Sequence, residues 1–409
     1  MIYLKFRKVF FPAITILILS ATIAVSSIKN THSPTVKINE SSYDTIATQD
    51  SVNENNEMRG MWITYMELSM ENENDKSESR FRNKFKEIAL NCKNYGLNTL
   101  IVQVRPFCDA LYESDYFSWS HILTGTQGKN PSYDPLEIMC EICNSLDLEI
   151  HAWINPYRVS LNNVPSEFAD NNPYIIDNSL TIETDSGIIL DPSNTKAREL
   201  IVNGVLEIVN NYDIDAIHFD DYFYPSDIEE NDYTQYDNYV SSVGENSCMG
   251  INNWRKANVN MLICEVYRAI HNTDKSVKFG ISPQGNISNN EALYADVKSW
   301  CSCRGFIDYI CPQIYFSLEN PTLSFEDALN EWSSLEYNEN TELYVGLAGY
   351  KAGTDKDDGT WLNENNILAQ EYSIIKNNDR AKGFMLYSYS SLLDSSAKEE
   401  IYNLQKVLN

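Results

Sequence analysis

The chain has 409 residues, of which 43% are hydrophobic and 12% aromatic, and its formal net charge is −27 at pH 7. This apolar content is enough for a large core and excludes disorder for most of the chain. The negative charge argues against nucleic acid and anionic membrane surfaces as partners, because both would repel it. It is compatible with simple solubility and with a neutral or cationic partner, such as a sugar polymer.

The first 28 residues have the pattern of an export signal. Basic residues at positions 5, 7 and 8 precede an apolar run from 10 to 25, and two serines follow. This order is typical of a secretory signal peptide, and an uncleaved membrane anchor is the alternative. Residues 29–57 are polar and lack periodicity, so we predict a disordered linker there and a folded part over 58–409.

The nine cysteines are not spaced like a metal site. The closest pairs are 140 with 143 and 301 with 303, and neither has a second pair or a histidine at ligand spacing. A structural zinc site needs four such donors around the ion. We therefore predict buried thiols, no metal and no cofactor, and leave one disulfide open.

A unit of strand, loop and helix repeats eight times in the predicted folded part. Strands are predicted to begin at Arg59, Asn98, Glu149, Ala216, Lys278, Tyr309, Glu342 and Gly383. Helices are predicted to begin near Arg80, Asp134, Asn194, Asn252, Ala292, Ser324, Ile367 and Ser396. Eight such units predict an α/β fold, the (β/α)8 TIM barrel. A doubly wound open sheet is the alternative, but the Gly-rich first turn typical of it is missing.

One face of the predicted strands is polar, which is unexpected for strands buried on both sides. Alternation of side chains predicts that this face points into the barrel. The inward set comprises Trp62, Gln103, Arg105, His151, Trp153, Asn155, His218, Asp220, Ser282, Gln284, Gln313, Tyr315, Tyr350, Tyr387 and Tyr389. Its polar members lie mostly at the carboxyl ends of the strands, where this fold places its chemistry. A metal ion bound by His151, His218 and Asp220 is the less favoured hypothesis for the function of these side chains.

Asp220 and Asp221 end the fourth strand and are the predicted catalytic acids. Neighbouring carboxylates compete for ionisation, so one tends to keep its proton near neutral pH, as acid/base cleavage of an acetal requires. Glycoside hydrolysis usually uses two carboxyl groups. The candidates for the second role are Asp221, Asp109 on the strand-two loop, and the acetamido group of the substrate itself. In a structural role, Asp221 would cap its loop or pair with Arg105 or Arg158.

Long loops follow the second, third and fourth strands and are rich in aromatic residues. Exposed rings on loops suit stacking on the apolar faces of sugars. Together with the inward set, the loops give the predicted substrate contacts. These are Trp62, Gln103, Arg105, Tyr112, Trp119, His151, Trp153, Asn155, Arg158, His218, Tyr222, Gln284, Gln313, Tyr315 and Tyr350.

A series of short sequence strings resembles a known family. In chain order they include Arg59-Gly60-Met61-Trp62, Gln103-Val104-Arg105-Pro106, Asp109-Ala110-Leu111-Tyr112, His151-Ala152-Trp153-Ile154-Asn155-Pro156-Tyr157-Arg158, His218-Phe219-Asp220-Asp221-Tyr222 and Pro312-Gln313-Ile314-Tyr315. They resemble the glycosyl hydrolase-like 10 family. The resemblance implies a TIM-barrel glycosidase of bacterial envelopes, similar to an enzyme that cleaves peptidoglycan glycan strands stripped of their peptides. It also implies a catalytic role for Asp220.

Two hypotheses for function follow. The first is an exported, monomeric hydrolase that cleaves an N-acetylated envelope polysaccharide, with peptidoglycan glycan strands favoured and nucleic acid excluded. The alternative is a catalytically silent barrel that binds carbohydrate at the cell surface. It is kept because the sequence does not identify the second carboxyl group that glycoside hydrolysis usually uses. New reducing ends from glycan strands would support the first, and binding without new ends the second.

The signal-like segment generates the first prediction. We expect the full-length protein outside the cytoplasm or with the cytoplasmic membrane, because a basic front and an apolar run direct a chain to export. Cell fractionation and immunoblotting check this, and a chain lacking residues 1–28 is the control that should stay in the cytosol. Full-length protein in the cytosolic fraction would show that the predicted export signal is wrong.

Overall fold

Eight parallel strands hydrogen-bond into a closed ring in the computed structural model, which describes residues 57–409. The predicted export segment 1–28 and the linker 29–57, except for its last residue, lie outside the described residues. The strands are β1 (Met58–Ile63), β2 (Thr99–Arg105), β3 (Glu149–Ile154), β4 (Ala216–Phe219), β5 (Lys278–Ile281), β6 (Tyr309–Ile310), β7 (Glu342–Leu347) and β8 (Ala381–Leu386). Each strand pairs with its neighbours in the chain, and β8 closes the ring against β1. The predicted (β/α)8 barrel is therefore confirmed, and every strand begins within two residues of its predicted start.

A main helix follows every strand. These helices are α1 (Glu78–Asn94), α2 (Pro135–Ser145), α3 (Thr195–Asn211), α4 (Ile251–Thr273), α5 (Val297–Ser302), α6 (Phe325–Ser333), α7 (Ile367–Lys376) and α8 (Lys398–Leu408). Ser77, Asp134 and Asn194 fix three of the starts, because each side chain accepts a hydrogen bond from a backbone N–H of the first turn. The prediction near Ala292 is wrong for α5, since a separate short helix, Asn289–Ala292, precedes it.

The loops at the carboxyl ends of the strands carry further elements. Short helices are Tyr65–Leu68, His121–Thr124 and Pro173–Ile176, a longer helix is Tyr233–Val243, and 3-10 turns are Asn178–Leu180, Gly349–Lys351, Asp357–Leu362 and Tyr389–Leu392. Two short strands pair after β2, Asp109–Ala110 with Ser118–Trp119. After β3, the strands Arg158–Leu161, Gly187–Leu190 and Thr181–Glu183 form an antiparallel sheet. This sheet, named here the β3-loop sheet, makes that loop an ordered wall.

Two apolar layers stabilise the barrel. Outward-facing side chains such as Leu100, Val102 and Ile217 belong to one large buried cluster with the helices. Inward-facing side chains such as Trp62 and Met385 form a smaller cluster inside the ring. Each large apolar side chain that is fully buried contributes roughly 1.5–3 kcal/mol. The outer layer therefore supplies most of the hydrophobic stabilisation, which allows the inner face to carry polar groups.

A chain of hydrogen bonds crosses the barrel interior. Trp62 Nε1 donates to His218 Nε2 at 3.3 Å, and the Tyr309 hydroxyl lies 2.9 Å from His218 Nδ1. The same hydroxyl lies 3.0 Å from His151 Nδ1. Because an indole N–H can only donate, His218 Nε2 is an acceptor and Nδ1 carries the proton. Burial lowers the pKa of His218, so the ring stays neutral and passes one hydrogen bond on through Tyr309 to His151.

All nine cysteines lie in the described part of the chain, and all are free thiols, six of them buried. Burial, which was predicted for the thiols, holds for these six, whereas Cys248 and Cys264 are half-buried and Cys303 is exposed. Across residues 57–409 no helix combines the length and the apolar character that crossing a bilayer requires.

Gly280 on β5 generates a prediction on stability. A Cβ at this position would lie 2.0 Å from two ring atoms of Tyr309, whose hydroxyl is fixed between two histidines. We expect Gly280→Ala to lower the free energy of unfolding by about 1–3 kcal/mol, because a packed interior has no room for the methyl group. Urea unfolding measures the change.

Gly250→Ala is the matched control, because a Cβ there would meet no atom within 4 Å. Its effect on the free energy of unfolding should stay within about 0.5 kcal/mol, as for other exposed positions. Equal losses in the two variants would contradict the packing argument.

Candidate active site

Asp220 directly follows β4 and is only 3% exposed. Its Oδ2 accepts hydrogen bonds from Trp153 Nε1, at 3.0 Å, and from the side-chain amide of Asn155. Its Oδ1 accepts from the Tyr222 backbone N–H at 3.2 Å. Burial of a group that can carry charge is costly without such donors. Strand β3, its end and the loop after β4 thus supply the environment that allows this carboxyl group to be buried.

The Asn155 amide is held in one orientation by a chain of donors. The Tyr65 backbone N–H donates to Gln103 Oε1 at 3.0 Å, and Gln103 Nε2 donates to Asn155 Oδ1 at 2.5 Å. A backbone N–H can only donate, so it fixes which end of the Gln103 amide accepts. This in turn leaves the N–H end of Asn155 facing Asp220. Gln103 and Asn155, predicted as substrate contacts, therefore support the acid.

Asp221 lies next to Asp220 in the chain but has separate donors. Gln313 Nε2 donates to Asp221 Oδ1 at 2.9 Å, and the Gln284 side-chain amide donates to Oδ2. Gln313 Nε2 also donates to the Ser282 carbonyl at 2.9 Å, which can only accept and so fixes the orientation of the amide. Residues that follow β5 and β6 therefore hold Asp221, whereas residues on or after β3 and the Tyr222 N–H hold Asp220.

Burial raises the pKa of both acids. For Asp220 the pKa rises to about 7, with burial as the main cause, Arg158 opposing it and Asp221 adding to it. For Asp221 burial again raises the pKa, and the hydrogen bonds from Gln284 and Gln313 oppose the rise. The sequence argument attributed the retained proton to repulsion between neighbouring carboxylates. In the structure desolvation is the larger effect, and Asp220 keeps its proton in mildly acidic solution.

A cavity of about 440 Å³ opens beside Asp221. One wall is the loop after β4, residues 222–227, and the other is the β3-loop sheet. Asp227 joins the two walls, since it accepts hydrogen bonds from the Ser186 backbone N–H at 2.8 Å and from the Ser186 hydroxyl at 3.1 Å. The volume is within the roughly 300–1,000 Å³ typical of small-molecule sites.

Arg158 and Tyr222 line this cavity and lie close together. The Arg158 guanidinium is 4.0 Å from the centre of the Tyr222 ring, and Tyr222 is 51% exposed. Tyr350 is 42% exposed, and its ring packs edge-on against Tyr315 and Tyr387. Exposed aromatic surface suits contact with a sugar ring. Among the predicted contacts, Tyr222 and Tyr350 have exposed surface that a ligand can reach, and Arg158 lines the cavity although it is only 8% exposed. Gln284 and Gln313 are half-buried beside Asp221.

Most of the other predicted contacts are buried. Trp62, His151 and His218 are at most 2% exposed and belong to the hydrogen-bond chain in the barrel interior. Trp153 is 6% exposed and donates to Asp220. Tyr315 is half-buried, with its ring 6.5 Å from that of Trp62. In this structure these side chains support the acids and one another.

The structure corrects the predictions for Arg105 and Tyr112. Tyr112 is fully buried in the apolar cluster outside the barrel, so its ring has no face for a sugar. Arg105 is 1% exposed, and its guanidinium lies 4.3 Å from the Phe117 ring, close to Gly204 of α3. The pairing register of β2 shifts between Gln103 and Arg105, so side-chain alternation no longer predicts direction at that point.

Two aromatic residues also differ from expectation. Trp119 is half-buried and packs against the outer apolar cluster. Tyr389 belongs to the same cluster, and its hydroxyl accepts a hydrogen bond from Asn91 at 2.9 Å, although alternation placed it inside the barrel. Strand β8 ends at Leu386, and the turn that follows does not continue the alternation.

Asp109 belongs to a separate buried network. It has no exposed surface, its Oδ2 lies 3.2 Å from His121 Nδ1, and it accepts a hydrogen bond from Gln127 Nε2 at 3.2 Å. Among the described residues it shares no hydrogen bond with Asp220 or Asp221. This geometry is that of a side chain that orients His121. A catalytic role for Asp109 stays the alternative to that of Asp221.

Sequence reasoning missed Ser160, Ser186 and Asp227, which line the cavity. In the sequence, only their position in long loops indicated a role. The strand pairing of the β3-loop sheet cannot be predicted from a local sequence pattern. In the part of the chain that the structure describes, no three His, Cys, Asp or Glu side chains are grouped to hold a metal. The absence of a metal requirement remains a prediction.

Residues 57–363 match the model of a protein family described as glycosyl hydrolase-like 10. The chain belongs to this family. The resemblance noted in the sequence strings is therefore confirmed, and it covers the barrel from β1 to beyond β7.

This glycosyl hydrolase-like 10 member is similar in sequence to two named relatives and in fold to a solved structure. The chain is 33% identical to glycosyl hydrolase YngK of Bacillus subtilis over 357 residues, 82% of this chain and 69% of the relative. It is 29% identical to glycosyl hydrolase DigH of Escherichia coli over 343 residues, 75% of this chain and 76% of the relative. The glycoside hydrolase domain of PgaB (BpsB) from Bordetella bronchiseptica superposes with a TM-score of 0.56 at 9% identity, over 86% of this chain and 99% of that domain. At such low identity the superposition shows the shared barrel fold.

The raised pKa of Asp220 generates a prediction on stability. Its ordinary value is 3.8 and its value in the folded chain is about 7, so the folded state binds the extra proton between these pH values. The free energy of unfolding should therefore fall as the pH rises from about 4 to 7, by at most about 4 kcal/mol from this group. Urea unfolding at a series of pH values measures it. Asp220→Asn should flatten this part of the curve, and a variant with the wild-type pH dependence would disprove the assignment.

Proposed function

We propose that this protein is an exported glycoside hydrolase that cleaves an N-acetylated glycan of the cell envelope, with peptidoglycan glycan strands as the favoured substrate. Family membership and the barrel fold support glycoside hydrolysis in general. The observation that carries the proposal is the pair of buried acids, Asp220 and Asp221, each with its own donors at the mouth of the barrel. Two carboxyl groups in different environments are what acid/base cleavage of a glycosidic bond uses.

Asp220 is proposed as the proton donor. Its pKa of about 7 keeps the group protonated in neutral to mildly acidic solution. Oδ2 accepts two hydrogen bonds, whereas Oδ1 accepts one, from Tyr222, so Oδ1 has room to carry the proton. A neutral carboxyl group beside the glycosidic oxygen gives its proton to that oxygen as the bond to the sugar carbon breaks.

Asp221 is proposed to act as the carboxylate. Both of its oxygens face amide donors, which favour the ionised form, and it lines the cavity. Leu161, Ile189 and Leu293 give the same cavity apolar walls. An acetamido group fits this combination, because its N–H can donate to the carboxylate while its methyl group contacts the apolar wall. The arrangement supports an N-acetylated sugar and a route in which Asp221 orients the acetamido oxygen for attack.

Export is part of the proposal and rests on the sequence of residues 1–28. A net charge of −27 repels polyanions, so contact with the glycan is proposed to run through its uncharged hydroxyl and acetamido groups.

Substitution of the acids generates the prediction on activity. We expect Asp220→Asn to lower kcat on peptide-free glycan strands at least about a hundredfold, or ~3 kcal/mol, because Asn keeps the shape but cannot supply the proton. Asp221→Asn should also lose activity. Asp109→Asn should keep most of it, because Asp109 has no exposed surface and is bonded elsewhere. Release of new reducing ends measures the rates.

The pH dependence and the unfolding curve of each variant complete the test. The wild-type rate should fall as the pH rises above about 7, where Asp220 loses its proton. Binding of glycan strands without any new reducing ends would instead favour a silent carbohydrate-binding barrel. Cleavage at near wild-type rate by folded Asp220→Asn would rule out the mechanism at the end of β4.

A further inference from the structure

A groove of about 940 Å³ lies outside the barrel. Its walls are helix Tyr233–Val243, the first half of α4, the start of α3 and the 3-10 turn Asn178–Leu180. Within the described part of the chain, it shares no lining residue with the cavity beside Asp221. The mechanism proposed above leaves this surface without a role.

The lining of the groove is polar but almost uncharged. Asn, Gln, Ser and Thr side chains supply most of it, among them Asn178, Asn238 and Ser242. The composition therefore suits a ligand with many neutral hydrogen-bonding groups.

The two charged residues of the lining are already paired. Arg198 forms an ion pair with Glu265 at 2.9 Å, on the side of α4. Asp191 is 3% exposed and accepts hydrogen bonds from the backbone N–H and the hydroxyl of Ser193, at 2.8 and 2.7 Å. Neither group is left to select an ionic ligand. In a chain with a net charge of −27, this surface stands apart from the acidic remainder.

An aromatic pair lies at one side of the groove. The Tyr239 ring stacks on that of Trp254, with centroids 6.0 Å apart and planes 30° apart. The Tyr239 hydroxyl accepts a hydrogen bond from the Met249 backbone N–H at 3.0 Å, which holds the ring in place. Met249 and Met261 are 41% and 44% exposed. A fixed ring beside flexible thioether side chains can contact the apolar face of a sugar.

The groove and the catalytic cavity are built from the same two chain segments. After β4, residues 222–227 line the cavity and residues of helix Tyr233–Val243 line the groove. After β3, strand Gly187–Leu190 contributes to the cavity and the next residue, Asp191, to the groove. Two binding surfaces on adjoining segments suit a polymer, because contact at one raises the effective concentration at the other.

We propose that this groove is a second binding site for the N-acetylated glycan, that it contacts the uncharged hydroxyl and acetamido groups, and that it holds the polymer without taking part in cleavage. The ligand class rests on the proposed function. The existence of the site rests on the uncharged lining and the aromatic pair.

Isothermal titration calorimetry of the whole chain carrying Asp220→Asn tests the proposal, with the β-1,4-linked trimer of N-acetylglucosamine as the probe. This substitution prevents cleavage during the titration. We expect two sites per chain. Tyr239→Ala should weaken one site at least about tenfold by removing the ring contact, whereas Tyr222→Ala should weaken the other.

Asn238→Asp is a second groove variant that keeps the side-chain shape at an exposed position, so loss of fold is not a concern. It should weaken the same site as Tyr239→Ala, because it replaces an amide donor with a charge. Ser241→Asp places the same charge on an exposed residue of the same helix outside the lining, and should leave both sites intact.

A single site that Tyr222→Ala weakens and the groove variants do not, or no trimer binding by the parent, would overturn the proposal. Two sites that are both indifferent to Tyr239→Ala and Asn238→Asp would also overturn it. The outcome is separable from the proposed function, because cleavage is measured with the wild-type chain. A chain that cleaves no glycan but binds trimer in the groove keeps this site and loses the hydrolase.

Discussion

Asp220 and Asp221 are two buried carboxyl groups at the end of one strand. Their need for hydrogen-bond donors determines which side chains the rest of the barrel mouth supplies. A buried carboxylate without donors is unstable, so each acid needs N–H groups held in a fixed orientation. Backbone groups provide that fixation: the Tyr65 N–H sets the Gln103 amide, and the Ser282 carbonyl sets the Gln313 amide. A barrel suits this task, because the carboxyl ends of its strands bring donors from distant parts of the chain to one ring. The two acids thereby acquire different environments although they are adjacent in sequence.

Below the two acids, polar side chains of the barrel interior are hydrogen-bonded to one another. His218 is two residues before Asp220 and on the same strand, and its ring is bonded to Trp62 and Tyr309. A side chain held at both ring nitrogens helps to fix the strand that carries the acid. The apolar contacts that stabilise the fold lie mainly between strands and helices, which leaves the inner face available for this network.

The loops give a common barrel its particular surfaces. Family membership and a superposition at 9% identity show a fold that supports many substrates, so specificity has to come from the segments at the mouth. Here the β3-loop sheet is joined to the loop after β4 by the Ser186–Asp227 hydrogen bonds, and this contact creates the cavity. Helix Tyr233–Val243, inserted in the same loop, creates the second groove. The cavity beside Asp221 and the groove therefore depend on the same two insertions.

The sequence by itself determined the barrel, the starts of all eight strands and the inward direction of Asp220, because periodicity, helix caps and strand alternation are local properties of the chain. It also identified the family from strings that stand in order along the strands. Only the tertiary structure decided which polar side chains meet. The register shift that turned Arg105 outward, the burial of Tyr112 and the pairing of Gln103 with Asn155 all depend on contacts between residues far apart in the chain. The proton held by Asp220 belongs to this second class, because desolvation is a property of the packed surroundings and not of the neighbouring residue in sequence.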